Sequence, residues 1–149
     1  MFKFKKLTQN KAMIIADEWY YDDLYSCYNL KDRKEDYADF TNEDIRNLSD
    51  YFEAELNDCF VGFFAVTKMD KILELSLGLK PSMCSKKLGT IFINDIIAYI
   101  KENYNYEVLF VCVESFNERA LKVYRKCGFK YYDKTVDENG CEILFLIYQ

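Results

Sequence analysis

The chain has no histidine, so its proton chemistry must rest on other side chains. Catalysis by Ser-His-Asp or Cys-His groups is excluded. A protein base must therefore be a carboxylate, tyrosine, lysine or cysteine, or act through water. A tyrosine is also a candidate acid, because a phenol with a pKa of about 10 keeps its proton at neutral pH.

Tyr124 lies in a short amphipathic segment, residues 117–129, with the sequence NERALKVYRKCGF. Apolar residues recur there at the i, i+3, i+4, i+7 spacing of one helical face, and the basic residues fall elsewhere. The residues of the apolar face are Ala120, Leu121, Tyr124 and Cys127. Gly128 stands where a helix needs a left-handed C-terminal residue. The pattern predicts a helix that follows Asn117 and ends at Gly128.

The order Asn-x-Arg-Ala-x-x-x-Tyr-x-x-x-Gly-Phe in this segment resembles the acetyl-CoA-binding motif of the GNAT family of N-acetyltransferases. The resemblance implies that acetyl-CoA is the cosubstrate and that Asn117 contacts the cofactor arm. It also implies a role for Tyr124, since the thiolate that leaves when an amine attacks acetyl-CoA needs a proton. The alternative for Tyr124 is that it only packs on the helix face.

Residues 79–90 (LKPSMCSKKLGT) resemble the phosphate-binding loop of the same family, usually written Gln/Arg-x-x-Gly-x-Gly/Ala. A loop that leads into a helix presents unpaired N–H groups and the positive end of the helix dipole, which suit a pyrophosphate. Here Cys84 replaces Gln/Arg and Lys87 replaces the first glycine, while Gly89 is kept. Lys87 must therefore adopt that glycine's backbone angles, or the loop is reshaped. The resemblance implies cofactor contacts at Cys84, Ser85, Lys86, Lys87, Leu88, Gly89 and Thr90.

In the GNAT family the strand before this loop splays away from the next strand, and the pantetheine arm enters the gap. The resemblance places the splay between residues 77–79 and 113–115. Backbone groups of Leu77 and Leu79 are then expected to hold the pantetheine and the thioester carbonyl. Gly78 allows a bulge or a close approach, although a strand glycine can also be a small residue under a helix.

Removal of a proton from the acceptor needs a base, because an alkyl amine with a pKa of about 10.4 costs roughly 4–5 kcal/mol to neutralise at pH 7. Glu74, on the strand before the splay, is the main candidate, acting through water. Glu114, on the far side of the gap, is the second candidate and a possible substrate ligand. Either carboxylate could instead be an ordinary polar residue on a half-exposed strand.

The aromatic segment of residues 19–28 (WYYDDLYSCY) corresponds to the region that covers the acceptor site in this family. Tyr21 and Tyr25, with Asp22 and Asp23, could bind a cation through ring faces and carboxylates. The alternative is a helix that packs its aromatic residues on the sheet.

The elements that must position these residues follow from hydrophobic periodicity and turn signals. We expect strands at residues 2–7, 51–56, 59–68, 72–79, 108–114, 129–136 and 141–148. Helices are expected from about residue 11, over 13–30, around 42–48, over 87–103 and in 117–128, with residues 31–50 otherwise a charged loop. Asn57-Asp58 and Met69-Asp70 predict tight turns, and Asn139-Gly140 predicts a type I′ turn. This order predicts an α/β GNAT fold, a mixed, mostly antiparallel twisted sheet of about seven strands with helices on both faces, splayed between the fourth and fifth strands.

Composition limits the function further. The length of 149 residues predicts one domain, residues 1–149. A net charge of −5 argues against nucleic acid and favours cationic partners. The apolar runs are too short for a membrane span, and six scattered cysteines without a signal peptide favour a reduced cytoplasm and no metal. A monomer and a homodimer are both compatible with the sequence.

The sequence therefore predicts an N-acetyltransferase that moves an acetyl group from acetyl-CoA to a primary amine by direct attack in a ternary complex. The acceptor is left open among small amines, polyamines, aminoglycosides and peptide or protein amines. The alternative is a catalytically degenerate GNAT-like module that binds an acyl-CoA or a protein partner, which the replacements at Cys84 and Lys87 would favour.

Overall fold

The structure is a computed structural model that describes residues 1–84 and 86–148. Seven strands form one mixed sheet in the order β1-β2-β3-β4-β5-β7-β6, which confirms the predicted fold class. The strands are β1 (Lys3–Lys6), β2 (Asp50–Leu56), β3 (Cys59–Met69), β4 (Ile72–Leu79), β5 (Val108–Glu114), β6 (Phe129–Val136) and β7 (Glu142–Tyr148). The α-helices are α1 (Gln9–Glu18), α2 (Lys34–Thr41), α3 (Glu43–Arg46), α4 (Gly89–Asn103) and α5 (Glu118–Lys126).

The chain divides into two compact units, and its predicted organisation as a single domain over residues 1–149 stays a prediction. The first unit comprises residues 2–65 and 77–86, and the second comprises residues 1, 66–76 and 87–149.

The core of the first unit forms around α1. Thr8 caps this helix by accepting a hydrogen bond from the Lys11 N–H at 3.2 Å. The buried apolar residues of this core are Leu7, Ala12, Ile15, Ala16, Trp19 and Phe40. Beside it, the fully buried Glu53 carboxylate pairs with the Lys11 ammonium at 2.6 Å. A buried carboxylate without this partner would be strongly destabilising, so the ion pair fixes α1 on β2.

The core of the second unit lies between α4 and the buried face of the strands. Its helix contributes Phe92, Ile93, Ile96, Ile97 and Ile100. The strands contribute alternate residues, among them Leu73, Leu109, Val111, Val113 and Leu146. Because strand side chains alternate between faces, the residues between these leucines and valines point to the opposite side of the sheet.

The parallel pairing of β4 with β5 is short. Its register runs from Ile72↔Val108 to Glu74↔Phe110, although β4 continues to Leu79 and β5 to Glu114. Among residues 1–84 and 86–148 the ladder does not extend past Glu74↔Phe110. The pairing thus ends before residues 77–79 and 113–115, the positions at which the resemblance places the splay.

The predicted helix over residues 13–30 is wrong. Helix α1 ends at Glu18, and short 3-10 turns at Asp23–Tyr28 and Leu30–Asp32 replace the rest. Trp19 takes an extended conformation (φ −82°, ψ 101°). Its ring then packs against Phe60 with centroids 5.1 Å apart. Burial of the indole therefore outweighs continuation of the helix.

The predicted loop over residues 31–50 is also partly wrong, because it contains α2 as well as α3. Phe40, buried on α2, packs edge-on against Tyr51 and Phe63, which holds this charged helix in place. Leu48, which follows α3, is 81% exposed and does not hold the segment in place. The buried residue of α3 is Arg46, whose guanidinium donates to the Phe40 carbonyl at 2.8 Å.

Two turns test the hairpin predictions. Asn57 and Asp58 both have positive φ, as a type I′ turn requires. The type I′ prediction at Asn139-Gly140 is wrong, because of these two residues only Gly140 has positive φ. The carboxylate of Asp137 instead accepts from the N–H groups of Asn139 and Cys141, each at 2.9 Å, and this favours a longer turn that ends in a left-handed glycine.

Within the described part of the chain, no helix is both long and apolar enough to cross a membrane.

Candidate functional site

Helix α5 carries the motif that first singled out Tyr124. The Asn117 side-chain oxygen caps the helix by accepting from the Ala120 N–H at 3.1 Å. Gly128 ends it with φ +106°, the predicted left-handed conformation. The carboxamide oxygen of Asn117 therefore caps the helix, and the cofactor contact predicted for this residue is a separate role.

Tyr124 is buried on the apolar face of α5, at 7% exposure. Its ring packs edge-on against Phe129 with centroids 5.4 Å apart. Burial raises the pKa of the phenol above 10, and negative charge on Cys127, Glu114 and Cys112 raises it further. The phenol is therefore a hydrogen-bond donor throughout the neutral range, and complete transfer of its proton to a thiolate is energetically uphill.

The two candidate carboxylates lie on one face of the second unit's sheet. Glu74 is paired in register with Phe110, and Glu114 stands four residues further along β5. Their strand neighbours Leu73, Leu109 and Val113 are buried on the opposite face. By strand alternation, both glutamates point to the same side of the sheet.

Cys112 lies between these carboxylates and was not a predicted site residue. Desolvation raises the pKa of its thiol to about 12, with the Glu74 charge, a hydrogen bond to Glu74 and the Glu114 charge as further causes. The charges of both glutamates therefore act on this thiol. Strand alternation in the sequence predicts that Cys112 faces the same way as Glu114.

The loop before α4 departs from the family's sequence pattern at Lys87 and keeps it at Gly89. Lys87, which replaces the first glycine of the pattern, has φ +58°, in the left-handed region that favours glycine. Gly89 opens α4, and a Cβ built on it would lie 3.3 Å from the Val123 side chain. Lys87 thus adopts a backbone conformation that glycine takes more easily, at the cost of strain.

The end of β4 belongs to the first unit, and its backbone groups alternate in direction. The Lys80 N–H bonds to the Val61 carbonyl of β3 at 2.7 Å. Because successive residues of a strand point their backbone groups to opposite sides, Leu77 and Leu79 direct theirs away from β3. Gly78 leaves room for the Phe63 ring, since a Cβ there would lie 2.6 Å from it, as expected of a small residue packed under a neighbour.

The carbonyl of Leu79 already has protein donors. The Tyr21 hydroxyl donates to it at 2.6 Å, and the Cys84 thiol at 3.6 Å. Cys84 thus stands beside the β4 carbonyls. Ser85, also a predicted cofactor ligand, lies outside the described residues.

The aromatic segment of the first unit is held by Asn29, a residue that sequence analysis did not single out. Asn29 is 2% exposed. Its carboxamide accepts from the Tyr21 N–H at 2.6 Å and donates to the Tyr21 carbonyl at 2.9 Å. Tyr25 stacks on Tyr28, with centroids 6.5 Å apart. Tyr21 is therefore positioned by its backbone, and its hydroxyl is directed to the end of β4.

The second unit brings together Glu74, Cys112, Glu114 and Tyr124, and the first holds Tyr21, Tyr25, Leu77, Leu79 and Cys84. The described residues contain no group of three or more Cys, Asp or Glu side chains placed to hold a metal ion. Acyl transfer from a coenzyme A thioester needs an acid for the leaving thiolate, a carboxylate as base, and a loop leading into a helix for the phosphates.

The sequence pattern of the Acetyltransferase (GNAT) family matches residues 15–129, more than half of the chain. The chain therefore belongs to the GNAT family of acetyltransferases. The acetyltransferase PseH of Campylobacter jejuni is 30% identical over 98 residues, which are 66% of this chain and 52% of PseH. The chain thus spans about half the length of this curated relative.

Two solved structures have the same fold. A chimera of the spermidine N-acetyltransferase SpeG from Vibrio cholerae and hSSAT superposes with a TM-score of 0.73 at 16% identity, covering 99% of this chain and 94% of that chain. AAC(6')-Ib in complex with ribostamycin and coenzyme A gives a TM-score of 0.76 at 15% identity, covering 99% and 93%. At such identities the similarity shows the fold alone.

Proposed function

We propose that this acetyltransferase moves an acetyl group from acetyl-CoA to a primary amine by direct attack in a ternary complex. The observation that carries the proposal is the arrangement in the second unit. Tyr124 is a buried phenol on α5, and Glu74 and Glu114 lie on one face of the sheet in the same unit. Negative charge on Glu114 is one cause of the raised pKa of Tyr124, so this unit carries an acid candidate close to a carboxylate.

The reaction requires two proton movements, one away from the acceptor ammonium and one to the leaving thiolate. Glu74 accepts a proton from the acceptor ammonium, directly or through water, so that the nitrogen lone pair can attack the thioester carbonyl. The new C–N bond forms as the C–S bond breaks, and the thiolate leaves. Tyr124 donates a hydrogen bond to that sulfur. The sulfur takes up the proton that the attacking nitrogen loses. Its raised pKa makes hydrogen bonding the larger part of this role.

Binding of acetyl-CoA is assigned to the loop and to the end of β4. The outward backbone groups of Leu77 and the N–H of Leu79 would bond to the pantetheine, because Tyr21 and Cys84 occupy the Leu79 carbonyl. Residues 84–90 would hold the pyrophosphate at the N-terminus of α4, with Lys86 and Lys87 adding positive charge. Asn117 would contact the cofactor arm.

The acceptor is proposed to be a cation that Glu114 and the aromatic segment with Tyr21 and Tyr25 attract. The net charge of −5 favours such a substrate. Spermidine and aminoglycosides, which the names of the two structural neighbours suggest, are the first acceptors to try. A cytoplasmic location belongs to the same proposal, since all six cysteines are free thiols.

The test combines binding with turnover. Calorimetry should detect acetyl-CoA binding by the wild-type chain, and a panel of amines assayed by thiol release should reveal at least one acceptor. Glu74→Gln should lower kcat with that acceptor by about a hundredfold or more, the lower end of the range for a proton-transfer group. Tyr124→Phe should lower it by about tenfold or more, because Tyr124 acts mainly as a hydrogen-bond donor. Absence of acetyl-CoA binding would contradict the proposal at its root.

One observation favours a second function, an acyl-CoA-binding module without turnover. In the loop that would hold the phosphates, the Cys84 thiol bonds to the carbonyls of Leu79 and Lys80 at 3.6 Å each, where the family pattern has a Gln or Arg side chain. Binding of acetyl-CoA without transfer to any amine, and with the same affinity in Tyr124→Phe, would support this alternative.

A further inference from the structure

Asn29 is a buried polar residue of the first unit to which the proposed reaction gives no role. It is 2% exposed, and a buried carboxamide destabilises the fold unless its polar atoms are paired. Both of its polar ends are paired here, and both partners belong to one residue. The carboxamide oxygen accepts from the Tyr21 N–H at 2.6 Å, and the amide nitrogen donates to the Tyr21 carbonyl at 2.9 Å. Asn29 therefore clamps the backbone of Tyr21.

The two ends of this clamp differ in their local structure. Asn29 is held by the 3-10 turns on either side, because its N–H bonds to the Ser26 carbonyl at 3.0 Å and its carbonyl accepts from the Asp32 N–H at 3.1 Å. Tyr21 lies between α1 and the first 3-10 turn, outside any helix or strand. A buried backbone group in such a segment needs a partner that regular structure does not supply. The fixed carboxamide of Asn29 thus decides where the Tyr21 side chain starts.

The Tyr21 side chain acts on the peptide group between Leu79 and Lys80. Its hydroxyl donates to the Leu79 carbonyl at 2.6 Å, and the N–H of the same peptide, on Lys80, bonds to the Val61 carbonyl at 2.7 Å. Because a peptide group is planar, bonds at its two ends fix its orientation. The Leu79 carbonyl points away from β3, so the hydroxyl contacts β4 on the side proposed for the pantetheine arm.

We propose that Asn29 is a positioning residue: it holds the Tyr21 hydroxyl on the Leu79 carbonyl and so keeps the end of β4 in the conformation that binds the pantetheine arm. The inference rests on the proposed function, because it assigns Asn29 to the cofactor side of that reaction. With the Leu79 carbonyl bonded to protein, the extended arm pairs with the Leu79 N–H and with Leu77. The clamp thereby sets one register for the arm on β4.

A double-mutant cycle tests whether Asn29 acts through the hydroxyl. Calorimetry measures the Kd for acetyl-CoA in wild type, Asn29→Ala, Tyr21→Phe and the double variant. Each single change should raise Kd about three- to tenfold, since the same hydrogen bond loses its geometry or its donor. The double variant should be within about twofold of the weaker single variant, because both changes break one chain of bonds. Wild-type affinity in Asn29→Ala, or effects that multiply in the double variant, would overturn the inference.

Asn42→Ala is the matched control for a purely structural role. Asn42 lies in the same unit, and its carboxamide oxygen accepts from the N–H groups of Asp44 and Ile45 at 3.0 and 3.2 Å. The control thus also removes side-chain bonds to the backbone, but bonds that hold α3 and not Tyr21. It should keep the wild-type Kd for acetyl-CoA. Equal weakening in Asn42→Ala and Asn29→Ala would mean that lost stability lowers the affinity, and the inference would be wrong.

Asn29→Asp tests the same role in a variant of nearly unchanged shape, for the case that Asn29→Ala does not fold. A protonated carboxyl offers one acceptor and one donor, as the carboxamide does, whereas the ionised form only accepts. Burial favours the protonated form. The Kd for acetyl-CoA relative to wild type should therefore be raised about threefold or more at pH 8 and fall to within about twofold at pH 5. A ratio that is the same at both pH values would contradict the role.

The two proposals fail in different ways. If the wild-type chain does not bind acetyl-CoA, the proposed function fails and the role of Asn29 falls with it. If wild type binds acetyl-CoA and Tyr21→Phe weakens binding but Asn29→Ala does not, the proposed function stands and only the role of Asn29 is overturned. If Tyr21→Phe also binds as wild type does, the end of β4 does not depend on the hydroxyl, and the inference is again overturned alone.

Discussion

A single buried phenol illustrates how much a residue's surroundings alter its chemistry. Tyr124 on α5 has the residue type that an acid requires, but burial and nearby negative charge raise its pKa. A weaker acid gives a hydrogen bond more readily than a proton. Tyr124 thus stabilises the charge on the leaving sulfur mainly by donating a hydrogen bond. Replacing Tyr124 with phenylalanine, which lacks the hydroxyl, measures that contribution.

We expect Tyr124→Phe to lower kcat about ten- to a hundredfold, since one donor to the developing thiolate is lost. KM for acetyl-CoA should change little, and the fold should be retained because the ring still packs against Phe129. Steady-state kinetics with circular dichroism as a control checks this. A kcat within a factor of two of wild type would mean that Tyr124 only packs.

The backbone conformation of Lys87 favours glycine, whereas its proposed contact with the phosphates requires the lysine ammonium. A side chain at φ +58° is strained by about 1 kcal/mol relative to glycine. Lys87→Gly should therefore be more stable to urea than Lys87→Ala by about that amount. Both variants lose the ammonium, so both should bind acetyl-CoA equally and more weakly than wild type if Lys87 faces the phosphates. Wild-type affinity in both would remove Lys87 from the cofactor site.

At the scale of elements, α5 begins with a residue that has both a structural and a predicted binding task. Asn117→Ala should cost about 1 kcal/mol of unfolding free energy, because the cap to the Ala120 N–H is lost. Asn117→Asp keeps the accepting oxygen but not the amide donor. It should retain most of the stability and still bind acetyl-CoA more weakly. Urea unfolding and calorimetry separate the two tasks, and unchanged affinity in Asn117→Asp would confine Asn117 to capping.

Tyr21, which lies between α1 and the first 3-10 turn, reaches the end of β4 through its hydroxyl. Tyr21→Phe removes the donor to the Leu79 carbonyl, so the strand end that is proposed to hold pantetheine loses a fixed position. We expect KM for acetyl-CoA to rise about three- to tenfold, more than KM for the amine. The control is Tyr20→Phe, a neighbour that is 64% exposed. If only the KM for the amine changes, Tyr21 contacts the amine substrate, as the sequence suggested.

At the scale of the whole molecule, the raised pKa values of the second unit predict alkaline sensitivity. Cys112 and Tyr124 have pKa values raised from 9.0 and 10.0, so the folded state favours their neutral forms. This stabilisation is complete below about pH 9 and is lost as pH rises through the folded-state values. Urea unfolding of wild type and Cys112→Ser at pH 7 to 11 should therefore show a difference in unfolding free energy that falls above about pH 9. Parallel curves would contradict the prediction.

Local rules were enough for the parts of the fold that lie close together in sequence. Helix α5, its glycine stop and the Asn57-Asp58 turn follow from periodicity and backbone preference, which act over a few residues. The same rules failed at residues 13–30. There the burial of Trp19 against Phe60 and the bonds from Asn29 to the Tyr21 backbone ended the helix. These partners lie further apart in the sequence than the three or four residues over which helix periodicity acts, so a local pattern does not predict the contacts.

The sequence by itself predicted the order of strands and helices along the chain, and its resemblance to the GNAT family singled out Tyr124, Glu74 and Glu114 for examination. The element order follows from periodicity and turn signals, and the choice of residues follows from the motif. Only the tertiary structure decided that β7 lies between β5 and β6, that Tyr21 bonds to Leu79 and that Lys87 takes a left-handed conformation. The physical reason is that these features depend on distances between separate elements and on backbone angles, which packing sets and residue order alone does not.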